Sequence, residues 1–258
     1  MSNKAIRPSS MIISHRHRFI FIKNRKTAGT SIEKALTTIC GPDDVITPFR
    51  VNMPLGGDLA TEARNFDGSF NPIREVISCS SPLEAARAVR DFIERPKFYN
   101  HMRASSVRAR VPQNVWRSYY KFCFERNSWD KTASFYSWVN KIEKNKPSFA
   151  DYLRNAGANQ TNDQAFASDW VRYTDRSGVI VDDIFDYSDI NAGLRIALER
   201  IGVAEADAVI DAIPALNSGV RAPREDTQYT PELSAIVERA FSREINHFGY
   251  ECPPQLIA

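Results

Sequence analysis

Two short segments of the 258-residue chain combine the residue types that bind anions. The first, residues 23–31, follows a short apolar run and contains Lys26, Gly29, Thr30 and Ser31. Hydroxyls, a mobile ammonium and main-chain N–H groups at the start of a helix suit a phosphate or a sulfate. The lysine precedes the glycine and a first glycine is lacking, so this is not a Walker A loop. A plain strand-to-helix turn with a solvated lysine is the alternative interpretation.

The second segment, residues 126–134, follows another apolar run at 119–124. Arg126 stands at its start, and Ser134 comes eight residues later. A guanidinium from a strand end and a hydroxyl from a helix can hold a second phosphate. An arginine at a strand end is also commonly a surface ion pair. The phosphate interpretation therefore depends on both segments lying on neighbouring strands of one sheet.

The hydrophobic pattern predicts the elements that would position these segments. Short apolar runs predict four strands, at residues 18–23, 119–124, 178–181 and 184–187. Periodic apolar residues predict five helices, starting at 32, 82, about 131, 190 and 231, the last reaching residue 248. Leu83, Ala86, Val89 and Ile93 are expected to form the buried stripe of the second of these helices.

Strands that alternate with helices predict an α/β fold. We expect a parallel, three-layer sheet with helices on both faces, in one domain over residues 1–258. Residues 41–97, rich in proline and glycine at their start, are expected to be an irregular and helical insertion.

Composition narrows the class of protein. Hydrophobic residues make up 43% and charged residues 25%, which excludes disordered, collagen-like and disulfide-dense chains. The longest apolar run is four residues, so no transmembrane segment is expected. The net charge of +3 conceals a polarised chain, because residues 1–34 carry eight basic residues and one acidic residue. Residues 101–131 carry seven basic and two acidic residues, so positive charge gathers on the two candidate anion sites.

These two segments resemble the nucleotide-binding motifs of the carbohydrate sulfotransferases. Residues 21–31 are similar to that family's 5′-phosphosulfate loop, a strand followed by P-K-T-[AG]-[GS]-T-S, with Arg25 in place of the proline. Residues 124–134 are similar to its 3′-phosphate motif, R-N-P-[WY]-[DE]-R and a later serine, with Ser128 and Lys131 as departures. The ending Phe248–Tyr250 is similar to the family's closing F-G-Y. The resemblance covers about residues 18–36, 98–140 and, more loosely, 178–250.

The resemblance implies a three-layer fold of P-loop-like sulfotransferase type and the donor 3′-phosphoadenosine 5′-phosphosulfate, with no metal. The acceptor would be a hydroxyl of a carbohydrate or glycoconjugate. Lys26 would neutralise the leaving phosphate, and Arg126 and Ser134 would hold the 3′-phosphate. The residues implied at the 5′ side are Arg25, Lys26, Thr27, Ala28, Gly29, Thr30 and Ser31.

The resemblance also implies a base for the acceptor hydroxyl. His101 lies where the family has patterns such as G-H-x-x-[AY], and a neutral imidazole suits proton removal near pH 7. A structural histidine under the insertion is the alternative. Glu33 competes for the role, because related sulfotransferases use a glutamate just after the phosphosulfate loop. Its carboxylate is a weak base unless it is desolvated.

The acceptor side is less specific. Arg103 and Arg108 could contact an acidic acceptor, or they could belong to a solvated basic helix face. No nucleic-acid partner is expected, because the basic residues lack interleaved aromatic residues. The chain starts near its first strand without a signal or an anchor, which favours a cytoplasmic enzyme of bacterial type over a truncated Golgi-type enzyme.

Two other classes of protein remain open from the sequence. A P-loop-like nucleotide or sugar kinase would need a carboxylate for magnesium, for which Asp182 and Asp183 are the candidates. A non-catalytic nucleotide- or polyanion-binding protein would bind the donor without turnover.

Overall fold

A computed structural model of the chain describes residues 11–48, 63–79, 81–140, 147–158, 166, 168–213 and 224–257. Within these residues the chain forms a five-stranded mixed sheet with helices around it. The strands of the sheet are β1 (Ile12–Ser14), β2 (Phe19–Phe21), β3 (Val45–Ile46), β4 (Tyr120–Glu125) and β7 (Asp183–Asp186). Between the last two, β5 (Thr174–Asp175) and β6 (Gly178–Val179) form a separate hairpin.

The helices lie before, between and after the strands. In the first half of the chain they are α1 (Gly29–Thr37), α2 (Ile73–Ile77), α3 (Pro82–Glu94), α4 (Ala104–Arg110), α5 (Gln113–Ser118) and α6 (Ser128–Val139). In the second half they are α7 (Phe149–Ala158), α8 (Trp170–Tyr173), α9 (Ile190–Arg200), α10 (Ala206–Asp211), α11 (Pro231–Ala240) and α12 (Ser242–Phe248).

The sheet order is β3-β1-β2-β4-β7, and only part of it is parallel. β2, β4 and β7 run parallel, with Phe21 beside Phe122 and Phe124 beside Phe185. β1 pairs antiparallel with both β2 and β3. The prediction of a wholly parallel sheet is therefore wrong for this edge. The short link between β1 and β2 is the physical reason, since a hairpin can only join antiparallel strands.

Alternate side chains of the strands pack into two apolar layers on opposite faces of the sheet. Phe19, Phe21 and Phe122 pack with α1, α9 and α10, where the buried residues include Ile32 and Leu198. On the other face, the alternate strand residues such as Ile20, Ile22 and Cys123 pack with α4 and α5. A third apolar cluster joins α6, α7 and α11. The expectation of helices on both faces of an α/β sheet is confirmed.

Several predicted boundaries differ from the observed elements. Residues 178–181 were expected to form a strand of the main sheet, but Gly178–Val179 belongs to the hairpin. The third parallel strand is β7, which pairs with β4 through Cys123 and Ile184. The last predicted helix is broken at Phe241 into α11 and α12, and Gly249 ends it in the left-handed conformation with φ of 66°.

The apolar stripe predicted for α3 faces outward, which corrects the expectation that it is buried. Leu83 is 62% exposed and Ile93 is 72% exposed, whereas Ala88 on the opposite side is buried. Contacts of this helix are made by the buried Ala88, by Asp91, which accepts a hydrogen bond from Tyr99, and by Phe92, whose ring lies against that of Phe70. The rest of the region at 41–97 is not wholly irregular, because it supplies β3 and α2. Residues 49–62 and 80 of this region lie outside the described residues.

Candidate functional site

The two candidate anion-binding segments meet at one edge of the sheet. β2 and β4 are adjacent and parallel, so the segments that follow them leave the same side. Arg126 Nη1 donates a hydrogen bond to the main-chain oxygen of Lys26 at 2.9 Å. The juxtaposition on which the phosphate interpretation depends is therefore present.

The backbone between β2 and α1 is strained at two positions that are not glycine. Lys26 has φ of 62° and Ala28 has φ of 52°, both in the left-handed region. Each costs an L-residue about 1–2 kcal/mol, and such strain persists where surrounding structure enforces it, often at ligand sites. Alternation of left-handed residues with right-handed ones is the geometry that turns successive N–H groups toward one point.

Gly29 provides space for a neighbouring side chain. It is helical, and a Cβ placed on it would lie 2.7 Å from Cγ and 2.9 Å from Cε of Lys23. The absence of a side chain thus lets the buried Lys23 stem cross the first turn of α1. Lys23 Nζ then reaches Thr30 Oγ1 at 3.0 Å and Glu33 Oε2 at 2.7 Å.

The N-terminus of α1 has no side-chain cap among the described residues. Its N-cap residue is Ala28, and the first turn contains no acidic residue. Ser31 N and Ile32 N both donate to Ala28 O, at 2.9 and 3.1 Å. The remaining main-chain N–H groups of the first turn and the positive end of the helix dipole are arranged as in an anion site.

The other side chains of this segment are distributed around it. Thr27 is buried, and its Oγ1 donates to Asn24 O at 3.2 Å. Ser31 is buried in the first turn of α1. Lys26 is half-buried, with Nζ 5.9 Å from the ring centroid of Trp138 at the end of α6.

The second segment is already partly satisfied by its own residues. Arg126 Nε pairs with Asp130 Oδ2 at 2.6 Å, and the guanidinium lies 4.1 Å from the ring centroid of Tyr187. Asn127 caps α6 by accepting from Trp129 N and Asp130 N. Arg126 therefore has a fixed position beside Lys26.

The side-chain hydroxyls of two serines of the second segment have no hydrogen-bonding partner among the described residues. Ser134 lies half-buried in α6, and its side chain makes no hydrogen bond within the described part of the chain. Ser128, which stands where the sulfotransferase motif has proline, is buried, and its Oγ finds no partner among the described residues.

His101 lies against the end of β2 in a strained conformation. Its φ is 52°, and its Nδ1 is 3.0 Å from Lys23 O. Since a carbonyl oxygen only accepts, Nδ1 carries the hydrogen of a neutral ring, and Nε2 keeps its lone pair. Burial, followed by the positive charges of Arg172 and Lys23, holds the pKa of His101 well below 6.5. The ring is therefore neutral at pH 7.

The sequence did not single out Asp169, which is fully buried beneath these segments. Its Oδ2 accepts from Arg25 N and contacts Lys131 Nζ, at 2.7 and 2.8 Å. Its Oδ1 contacts Arg25 Nε at 2.9 Å and also pairs with Arg172 Nε. Burial alone would raise the pKa of Asp169, but Lys131, Arg25 and Arg172 hold it well below the usual range.

A second buried carboxylate, Glu125, shares Lys131 with Asp169. Lys131 Nζ is 2.5 Å from Glu125 Oε1, which also accepts from Arg126 N at 2.8 Å. Asp169 also contacts Arg25 and Arg172, whereas the described contacts of Glu125 include one cationic side chain, that of Lys131. Burial raises its pKa to about 7 against the opposing charge of Lys131.

The two arginines predicted for the acceptor each have an acidic partner. Arg103 Nη1 is 3.1 Å from Glu84 Oε1 on α3, and Arg108 Nη2 is 2.8 Å from Asp175 Oδ2. Arg108 also lines a surface cavity of about 390 Å³ between α2, α4 and α5. The other lining residues are Arg74, Ser78, Ala109, Gln113, Trp116 and Arg117. Three arginines and one tryptophan thus line this cavity.

The carboxylates that a kinase would need lie at the other end of the sheet. Asp182 and Asp183 precede or begin β7, beside Lys121 and Phe122 at the start of β4. Asp182 Oδ2 pairs with Lys121 Nζ at 2.9 Å. They are therefore remote from the segments that follow β2 and β4. Within the described ranges, no cluster of three or more His, Cys, Asp or Glu side chains has the arrangement of a metal site.

The same described ranges contain no helix with the length and hydropathy needed to cross a bilayer. Cys40, Cys79, Cys123 and Cys252 are all free thiols.

Comparisons with known proteins give little further information about this site. The chain is 32% identical over 108 residues to a protein of Archaeoglobus fulgidus described as an uncharacterized protein. The match covers 40% of this chain and 85% of the archaeal protein. No family model matches the chain, and no solved structure matches it. Because the match spans most of the archaeal protein, the chain belongs to the same family as this uncharacterized protein of Archaeoglobus fulgidus.

Proposed function

We propose that the chain is a sulfotransferase that moves a sulfuryl group from 3′-phosphoadenosine 5′-phosphosulfate to a hydroxyl of a carbohydrate or glycoconjugate. One observation carries the proposal. The N-terminus of α1, which has no side-chain cap among the described residues, follows a segment with left-handed residues at Lys26 and Ala28, and the Arg126 guanidinium is hydrogen-bonded to that segment. Two candidate anion-binding elements therefore lie side by side, which supports the binding of a nucleotide that carries a 5′-phosphosulfate and a 3′-phosphate.

The 5′ side of the donor would be held by the first segment. The main-chain N–H groups from Thr27 to Thr30, with the hydroxyls of Thr30 and Ser31, would surround the phosphosulfate. Lys26 would add a cation on a flexible stem, and Arg25 lies directly before it. Arg126 and Ser134 would hold the 3′-phosphate, which fits a guanidinium already oriented by Asp130 and Tyr187.

When bound, the donor supplies an activated sulfuryl group and a phosphate leaving group. Transfer of this kind asks the protein mainly for positioning and for charge neutralisation. His101 Nε2 accepts the proton of the acceptor hydroxyl while that oxygen forms the new S–O bond. The electron pair of the broken S–O bond remains on the phosphate, where Lys26 neutralises the charge. Glu33 is the weaker candidate for the base, because Lys23 already occupies one of its oxygens.

The acceptor would extend from His101 along α4 toward the cavity lined by Arg74, Arg108 and Arg117. α4 starts three residues after His101, and Arg108 lies about 6 Å further along the helix axis than Ala104. Guanidinium groups bind carboxylates and sulfates in a bidentate manner, and an indole can stack on a sugar ring. These features favour an acidic acceptor over a neutral one.

A transfer assay tests the proposal. Donor labelled with ³⁵S is incubated with the chain and a panel of neutral, uronate-bearing and sulfated glycans. We expect label to move to a glycan with the wild-type chain and not with Lys26→Ala. The matched control is Lys34→Ala, on the same helix but in its last turn. Donor binding without transfer to any acceptor would support the non-catalytic alternative, and magnesium-dependent ATP hydrolysis would support the kinase.

A further inference from the structure

The carboxylate of Asp169 connects three parts of the chain that are far apart in sequence. Arg25 belongs to the segment after β2, Lys131 to α6, and Arg172 to α8. Each of these cations contacts the carboxylate directly. Asp169 is fully buried, so these contacts are not exchanged with bulk water.

The contacts between Asp169 and Arg25, the first arm of this arrangement, hold the anion-binding segment at residues 23–31. Arg25 binds Asp169 through both its main-chain N–H and its side-chain Nε. Arg25 directly precedes Lys26, the first of the two left-handed residues. A strained conformation persists only where neighbouring contacts enforce it, and this double contact is placed to do so.

A second arm holds His101. Arg172 pairs with Asp169 through Nε and donates from Nη1 to the main-chain oxygen of His101. His101 is also left-handed, and its ring is fixed on the other side by Lys23 O. The conformation of His101 is therefore set from two directions, one of which leads to Asp169.

Removal of the carboxylate would affect both arms together. Lys131, Arg25 and Arg172 would then be like charges around a buried site that has lost the carboxylate they share. A buried charge that loses its partner is strongly unfavourable, so the arms would separate or admit water. The conformations of the anion-binding segment and of His101 thus both depend on the Asp169 carboxylate.

We propose that Asp169 is a positioning residue that couples the anion-binding segment to His101, through Arg25 on one side and Arg172 on the other. The assignment of donor and base on which this rests is that of the proposed function. The consequence is a division of roles: Arg25 acts on donor affinity, Arg172 acts on the rate of transfer, and Asp169 acts on both.

The test separates affinity from rate. Calorimetry measures the affinity for adenosine 3′,5′-bisphosphate, and the ³⁵S assay measures kcat at saturating donor. We expect Arg25→Ala to lower affinity about tenfold or more with kcat within about twofold, and Arg172→Ala to show the reverse. Asp169→Asn should lower both. The control is Asp91→Asn, which removes a mostly buried carboxylate that pairs with Arg95 and Tyr99 and should change neither quantity.

Three outcomes would overturn the coupling. They are a folded Asp169→Asn protein with wild-type affinity and kcat, an effect of that variant on one quantity alone, and equal effects of Arg25→Ala and Arg172→Ala on both quantities. If Asp169→Asn does not fold, the affinities and kcat values of Arg25→Ala and Arg172→Ala decide whether the two roles are divided as proposed.

A readout on the protein itself distinguishes failure of the coupling from failure of the proposed function. The imidazole NMR signals of His101 and the main-chain amide signal of Lys26 are compared among the wild type, Asp169→Asn and the control Asp91→Asn. Changes at both residues in Asp169→Asn alone support the coupling, even if the wild type binds no nucleotide. Unchanged signals at either residue in Asp169→Asn contradict it, even if the donor binds.

Discussion

Arg126 and Lys26 are joined by a hydrogen bond of 2.9 Å from the guanidinium of one to the main-chain oxygen of the other. This contact spans 100 residues of sequence and brings together the segments that follow β2 and β4. It also fixes the carbonyl of a left-handed residue, so that the neighbouring N–H groups are free to face a ligand. The guanidinium of Arg126 is thus held next to the segment that leads into the N-terminus of α1.

Substitution of Gly29 by alanine should destabilise the protein. The new Cβ would lie 2.7 Å from Lys23 Cγ, and the Lys23 stem cannot move without breaking its contact with Glu33. We expect a loss of about 1–3 kcal/mol in the free energy of unfolding, measured by urea denaturation. Gly41→Ala is the control, because its Cβ would be 3.5 Å from the nearest atom, an ordinary contact. Equal stability of the two variants would show that Lys23 does not require the space at Gly29.

Substitution of Glu125 should change how stability depends on pH. Its pKa is raised to about 7 in the folded protein, above the ordinary 4.5, so the folded state holds a proton that the unfolded state has lost between these values. This contribution to stability is complete below pH 4.5 and is lost as the pH rises through 7. Glu125→Gln keeps the neutral form at every pH. We expect its stability relative to wild type to rise by about 3 kcal/mol from pH 4.5 to pH 8.

The quantity to follow is the difference in the free energy of unfolding between Glu125→Gln and wild type at each pH. The lowered pKa of His101 acts in the opposite direction to the raised pKa of Glu125, since it makes stability fall as the pH drops below 6.5. Wild type and Glu125→Gln share this effect of His101, so it cancels in the difference between them. A relative stability that does not vary with pH would mean that Glu125 is ionised throughout this range.

Removal of the His101 imidazole should abolish transfer and leave nucleotide affinity intact. Burial and neighbouring cations hold its pKa well below 6.5, so the ring is already in its basic form at pH 6.5. We therefore expect kcat/KM of the wild type to be level from pH 8 to pH 6.5 and His101→Ala to reduce kcat below detection. His247→Asn, on α12, is the control. Full turnover by His101→Ala would remove this residue from the mechanism and leave Glu33 as the candidate.

Two arginines of the surface cavity should determine preference among acceptors. Arg74 and Arg117 line it together with Arg108. Replacement of both by alanine should raise KM for an acidic glycan about tenfold or more and leave KM for a neutral glycan unchanged, because only the former loses charge-assisted hydrogen bonds. The control of equal charge is the double substitution of the exposed Arg90 and Arg239. An equal rise in KM for the acidic glycan in both double variants would indicate long-range electrostatics instead of a binding site.

The sequence predicted the arrangement of helices on both faces of a sheet more accurately than the number and direction of the strands. Unbroken apolar runs identified β2 and β4, and these runs are long enough to be recognised because both faces of the strands are buried. β1 has three residues and β3 has two, which is too short for a periodic signal. The apolar stripe of α3 was predicted to be buried, but Leu83 and Ile93 are exposed. Periodicity shows that a helix has an apolar face but not whether the fold covers it.

The parts of the candidate site that are continuous in sequence could be predicted, whereas contacts between residues far apart in sequence could not. The segments at 23–31 and 126–134 could be identified from spacing, and their contact follows from the pairing of parallel strands. Asp169 has no such signal, because it is one aspartate just before a four-residue helix and acquires its partners only in the folded chain. The left-handed conformation of Lys26 and Ala28 was equally hidden, since glycine is the residue expected there.

The most direct test of the account is the binding of adenosine 3′,5′-bisphosphate to the full chain, measured by isothermal titration calorimetry. We predict saturable binding at one site by the wild-type chain and by Lys34→Ala. We also predict that affinity falls about tenfold or more in Lys26→Ala and in Arg126→Ala, since each removes one charge-assisted contact to a phosphate. Absence of heat from the wild type, or equal affinity in all four proteins, would contradict the assignment of these segments as the nucleotide site.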